Sequence, residues 1–478
     1  MVKKFSSDSS LIYSELLNTV IPKIISTMKR IIILLAAFSF SFLISAQVPD
    51  TTQTNRKTEK AKTGWNLGAL PVIGYNSDIG FQYGALANLY QYGDGSIYPK
   101  YFHSIYMEIS RTTKGGGINQ LFYDSEHLLP GLRVTADLSY LTEKALDFYG
   151  FNGYDAVYNV GWTDDSKDSS IYRSRVYYKH ERKLFRFAPD FQGKFGDSHL
   201  HWLAGLALLH VETGPVDIQR LNKGLSDSKK LPDIPGLYDK YVNWGLIKSG
   251  ESKGGNVNYL KMGFIYDTRD NEPNPMHGIW TEALICTAPR FLGNGNYGYS
   301  KLSLIHRQYF TLLREKLSLA YRLAYQGTIS GRAPYFMQPY LISSYSQSTT
   351  IDGMGGARTI RGVLRNRAVG DGMAYGNMEL RWKFYKTQGW NQNFYFGLNG
   401  FADAGQVVKK IPVSLTSLSE GEYRPDYFAL DTEALHITYG LGFRVAMNQN
   451  FILAVDYGRV ADKRDGNSGV YVNLGYLF

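Results

Sequence analysis

The sequence predicts an all-β fold, a transmembrane antiparallel β-barrel of about sixteen strands. Three observations predict it. Alternation of period two recurs along the chain: in AYGNMELRWKF, Met378, Leu380, Trp382 and Phe384 share one face, and Asn377, Glu379, Arg381 and Lys383 the other. No segment after the N-terminal region offers an apolar run long enough for a membrane helix, and the mean hydropathy is −0.26. A barrel shows lipid one apolar row per strand and its lumen one polar row, which gives this unremarkable average. Finally, the long connections all fall after odd-numbered strands, as in a barrel with long outer loops and short periplasmic turns.

Taken in order, the chain opens with an export signal. Lys29 and Arg30 precede an apolar run, Ile31 to Ile44, closed by Ser45 and Ala46. The run is too short to cross a bilayer as a helix, which needs about 20 residues. Residues 1–46 are read as a cleaved signal peptide, with Met28 as its working start and cleavage after Ala46. Polar residues 47–63 are expected to form a short periplasmic tail, too small for a folded domain, and residues 64–478 the barrel. The formal charge is +10, or about +7 without residues 1–46, and it is spread along the chain rather than gathered for nucleic acid. The single Cys286 excludes a disulfide framework and reads as a small apolar strand residue.

Strands are expected near 64–75, 79–90, 101–112, 116–126, 132–141, 171–187, 198–211, 257–268, 277–287, 298–310, 316–327, 374–385, 393–404, 434–448, 450–459 and 469–478. The last is expected to carry one apolar row, Val470, Val472, Leu474, Tyr476 and Phe478. Tyr and Trp are expected mainly in girdles at the membrane interfaces. Tyr335, Phe336 and Tyr340, in the approach to the loop after strand eleven, suit the barrel mouth instead. In the first strand Gly64, Gly68, Pro71 and Gly74 weaken regular pairing, so a loose seam is expected between the first and last strands.

Four stretches resemble the bacterial surface antigen group of outer-membrane barrels, to which the BamA and TamA assembly factors belong. These are DFYGFNG (147–153), GFIYDTRDNEPNPMHGIW (263–280) with Asp267, Arg269, Asp270 and Gly278 in its turn, TIRGVLRNR (359–367), and FADAGQV (401–407). The ending on Tyr476 and Phe478 is similar to the C-terminal signal of such barrels. The resemblance implies an outer loop folded into the lumen as a plug, its Arg361–Gly362 tip held by Glu379 and Asp403. The residues argue the same way: an arginine confined in a lumen needs carboxylates, and both acids belong to inward rows. Arg361, Gly362, Glu379 and Asp403 are therefore the expected lock. The resemblance further implies a Gram-negative outer-membrane location, contact with outer-membrane lipid, and a role in outer-membrane protein assembly or translocation beside other assembly proteins or client barrels. Members of the group that assemble or secrete proteins carry periplasmic POTRA domains, and the tail is expected to hold none. The alternative is a gated channel or structural barrel for small solutes or lipid.

Other chemistry finds little support. The acids at 267–272 are ordinary turn formers beside Arg269, so no metal or cofactor is expected. His103 and Ser104 are adjacent, so they point to opposite faces, and there is no GxSxG elbow. His306 suits either face. No enzymatic activity is expected.

Overall fold

The computed structural model describes residues 62–478 apart from 99, 296, 345–351, 390–391, 416–421 and 448–450. The expected signal peptide, Met28, the cleavage position and nearly all of the tail lie outside the described residues. Sixteen antiparallel strands close into a barrel in which every strand neighbours the next in sequence. They are β1 Trp65–Asn76, β2 Gly80–Gln91, β3 His103–Thr112, β4 Gly116–Leu129, β5 Leu132–Asp147, β6 Lys179–Lys194, β7 Leu200–Gly214 and β8 Gly254–Asp267. The second half comprises β9 Gly278–Ala288, β10 Tyr299–Leu313, β11 Leu317–Gly331, β12 Gly372–Gly389, β13 Gln392–Lys409, β14 His436–Met447, β15 Phe451–Val460 and β16 Ser468–Leu474. No described helix is long and apolar enough to cross a membrane.

The dyad patterning explains the wall. On β12 the row Met378, Leu380, Trp382 and Phe384 is exposed outward, while Asn377, Glu379, Arg381 and Lys383 are buried inward. A one-residue slip would place these charges on the outer skin, so the alternation fixes the register. The lumen is not an empty pipe. Its inward charges meet the connection between β11 and β12, whose residues Met354, Ile360, Val363 and Ala368 pack with Leu341, Met373, Val407 and Val460.

Three expectations change. β6 begins at Lys179, not 171, because Tyr172 to Tyr178 belong to a loop that seats the adjacent Tyr177 and Tyr178 in a packed cap rather than against lipid. That cap also revises the girdle reading: Phe148, Trp162, Tyr177, Tyr178, Tyr238, Tyr241, Trp244, Tyr335, Phe336 and Phe428 all belong to one buried cluster. Tyr335, Phe336 and Tyr340 join it. Other aromatics, including Trp65, Tyr83, Trp382 and Tyr439, do stand on the outer surface. Lastly, β16 ends at Leu474. Gly475 takes a φ of +86° that reverses the chain, so Tyr476 and Phe478 leave the outward row. Phe478 is buried against Tyr309, and its carbonyl accepts from Arg381 Nη2 at 2.9 Å.

The barrel closes unevenly. β1 pairs with β2 along its whole length, from Trp65↔Gln91 to Asn76↔Gly80, Pro71 included. Against β16 its one registered pair among the described residues is Asn76↔Tyr471. Just beyond it Ser77 and Val470 exchange bonds: the Ser77 N–H donates to the Val470 carbonyl at 3.0 Å, and the Val470 N–H to Ser77 Oγ at 2.9 Å.

Candidate functional site

The best-developed polar site lies in the lumen where the β11–β12 connection meets strands β12–β16. Arg361 is fully buried. Its Nε and Nη2 donate to the two oxygens of Asp403 at 2.9 Å each, a bidentate fork that suits a planar guanidinium. Nη1 donates to Glu379 Oε1 at 2.7 Å and to Asp456 Oδ2 at 3.4 Å. The Arg361 backbone N–H adds a bond to Asp403 at 3.0 Å, and Phe401 offers its ring face 3.5 Å from the guanidinium carbon. Burial alone would favour losing the proton, but Asp403 and Glu379 hold Arg361 firmly charged.

Gly362 follows with φ +100°, a conformation that disfavours any side chain. A Cβ there would stand 2.8 Å from the Gly458 backbone of β15, and one at Gly458 would stand 2.5 Å from the Arg361 carbonyl. Two glycines thus let the loop backbone lie directly on the wall. The Gly362 N–H donates to Tyr471 Oη at 2.9 Å. The structure brings Arg361, Gly362, Glu379 and Asp403 together.

Sequence reasoning missed the rest of the network. Arg381 donates to Glu379 Oε2 at 2.8 Å, and Arg444 forks onto Asp456 at 2.8 and 3.1 Å, so three arginines face three carboxylates. Asp456 and Arg444 sit on inward rows of β15 and β14, and that alternation was the available signal. In the same motif Arg365 pairs with Asp352 and with Glu143, and Asp352 also accepts from Arg182 at 2.7 Å. Burial would raise the Asp352 carboxyl, yet Arg182 and Arg365 hold it down at about 2. Arg367 donates to the carbonyls of Gly153 and Ala156 at 2.8 and 3.1 Å, which ties DFYGFNG and the residues just after it to the loop. The first half of the connection is anchored on β10, through Lys301 to the Met337 carbonyl and Ser303 to the Ile342 carbonyl, both at 2.8 Å.

The turn motif lies apart from this site, between β8 and β9. Arg269 forks onto Asp267 at 2.9 and 2.7 Å, and Asp270 Oδ1 accepts from the N–H groups of Met276 and His277. A Cβ at Gly278, φ +106°, would strike the Thr268 carbonyl at 2.3 Å. These acids serve the turn itself. His306 bonds Thr281 and Tyr321, and His103 bonds Tyr123. Tyr476 offers its ring to Arg381, 4.1 Å away, and to Arg444 at 5.4 Å.

With this geometry in view, the comparisons are specific. Residues 103–478 match the Omp85 superfamily domain. The chain belongs to the Omp85 superfamily. Solved structures similar to this Omp85 barrel include BamA from Haemophilus ducreyi lacking POTRA domains 1–3, at 16% identity and a TM-score of 0.49, covering 87% of this chain and 71% of that one. CdiB from Escherichia coli is 10% identical with a TM-score of 0.50 and covers 86% of this chain, which spans 62% of CdiB. At 10% identity and a TM-score of 0.50, the likeness to CdiB speaks for the fold alone. A comparison with curated proteins finds no match.

Proposed function

We propose that this Omp85 barrel takes part in outer-membrane protein assembly or translocation, beside a larger complex, by lending the unpaired flank of β1 to a client strand. The observation that carries the reading is the asymmetry of β1, fully paired with β2 and paired with β16 at Asn76↔Tyr471. A strand with a free row of N–H and C=O groups is a template for edge addition. Its outward side chains Trp65, Leu67, Ile73 and Tyr75 are well exposed, as lipid contact requires. In this reading Arg361, Gly362, Glu379 and Asp403 lock the loop in the lumen, so that traffic runs along the seam rather than through the barrel.

Cysteines at Tyr75 and Val472, the next positions in register after Asn76↔Tyr471, test it. Proteoliposomes carrying the oxidised pair should lose client-barrel insertion, scored by heat-modifiable gel mobility, and regain it on reduction. Full insertion with the seam bonded shut would sink the proposal. A large, steady, client-independent conductance in planar bilayers would replace it with the gated channel.

A further inference from the structure

The short ladder at the seam is not the only tie between its two flanks. The loop tip at 356–364 reaches both from inside. On the β1 flank, the Ala357 N–H donates to Asp78 Oδ2 at 2.8 Å, and Asp78 sits in the β1–β2 turn two residues past Asn76. Its backbone is fixed in turn by Asn76 Oδ1, which accepts the Asp78 N–H at 2.7 Å. On the β16 flank, the Gly362 N–H donates to Tyr471 Oη at 2.9 Å, and Tyr471 is the registered partner of Asn76. The Leu364 N–H adds a bond to the Asp465 carbonyl in the β15–β16 turn at 3.0 Å.

Steric detail fits a shaped contact. A Cβ at Gly356 would lie 2.5 Å from Asp78 Oδ2, and Gly356 holds φ +85°. Its N–H donates to the Val363 carbonyl at 2.9 Å, so the two anchoring residues, Ala357 and Gly362, belong to one closed turn. A rigid turn that bonds one strand at each end spans the gap between them.

We infer that residues 356–364 are an internal clasp, with Asp78 and Tyr471 as positioning residues that hold β1 against β16 at the one level where they pair. The inference rests on the reading of the seam given above. Each bond spans partly or fully buried groups, where a lost partner leaves a donor unsatisfied. Release of the loop and parting of the seam are then a single event.

The test places spin labels at Ile73 and Leu474, both exposed on the outer face, in the full chain in nanodiscs, with buried Cys286 replaced by alanine. A second pair at Ile73 and Tyr83, ladder partners across β1–β2, serves as control. The Asp78→Ala, Tyr471→Phe double variant should add a population whose 73–474 distance is longer by about 5 Å, one strand spacing. The control distance should stay fixed. Asp78→Asn, which keeps an acceptor for the Ala357 N–H, should restore the parent distribution in the Tyr471 background. If the double variant does not fold, each single variant is read in the same way. An unchanged 73–474 distribution in a folded variant overturns the clasp, as does equal lengthening of the control pair. Should the labels part as expected while the seam bonded through 75 and 472 leaves client insertion intact, the clasp stands and the proposed function falls.

Discussion

The two flanks of the seam are built to different standards. From β12 to β15 the lumenal face carries buried ion pairs of Arg361 with Glu379 and Asp403 and of Arg444 with Asp456, β16 adds Tyr471 on the Gly362 N–H, and glycine-on-glycine contact brings the loop backbone onto β15. β1 presents mostly exposed side chains, and the loop holds its turn by one bond, from Ala357 to Asp78. A closed cylinder in topology is therefore an unequal one in energy. In the proposed opening, the first strand moves and the last five strands act as the fixed post against which it swings.

The largest expected effect comes from dismantling the post. Arg361→Ala leaves Asp403, Glu379 and Asp456 facing one another without their shared cation, and loss of one partner from a buried pair costs about 3–5 kcal/mol. The folded band in unboiled gels should vanish at a markedly lower temperature. The swap of Arg361→Asp with Asp403→Arg should recover part of that loss. Equal mobility of parent and Arg361→Ala would remove the contrast between the flanks.

A smaller loss, about 1–3 kcal/mol, is expected for Gly362→Ala, since a methyl must displace the Gly458 backbone or relax a positive φ. Gly131→Ala, also at positive φ but with open space around its Cβ, isolates the conformational share when both are melted side by side.

The loose flank should instead report through pH. Burial, partly offset by the Ala357 N–H and Arg365, pushes the Asp78 carboxyl from an ordinary 3.8 up to about 6, with Asp147 raising it further and Lys114 lowering it. Tyr471 faces the same carboxyl. Because the folded value lies above the unfolded one, Asp78 favours the folded state fully below about pH 4, and this contribution is lost as pH rises through 6. The 73–474 distance should therefore broaden between pH 5 and pH 7, and Asp78→Asn should flatten that dependence.

The least effect is expected far from both flanks. Arg269→Lys gives up a bidentate contact to a partly exposed Asp267, and about 1 kcal/mol or less is at stake in thermal melts.

Strand number and the inward rows of β12 and β13 were legible because a strand half in lipid and half in a charged lumen must alternate at every residue. Glu379 and Asp403 could be read for the same reason. Asp456, Arg381 and Arg444 carry the same inward signal, but nothing in a single sequence says which inward charges meet across the lumen. The misplaced start of β6 has a different origin. Tyr172, Val176 and Tyr178 recur at every second or fourth position, as strand residues do, although Tyr178 and its neighbour Tyr177 are buried in a cap of loops. The inward turn at Gly475 was hidden because Tyr476 and Phe478 extend the outward row without a break in period, and only a backbone angle reveals the reversal.

The interior seat of residues 352–369 also constrains the order of events in biogenesis. Asn76 and Tyr471 lie at nearly opposite ends of the polypeptide, so their pairing is the longest-range contact in the sheet and carries the greatest entropy of ring formation. Once it forms, the arginine-bearing turn is enclosed by wall on every side. Seating the turn on β12 to β15 joins residues 18 to 95 apart in sequence, so the order of lower loop-closure entropy seats the turn first and then draws the sheet round it, like a sleeve about a finished pin.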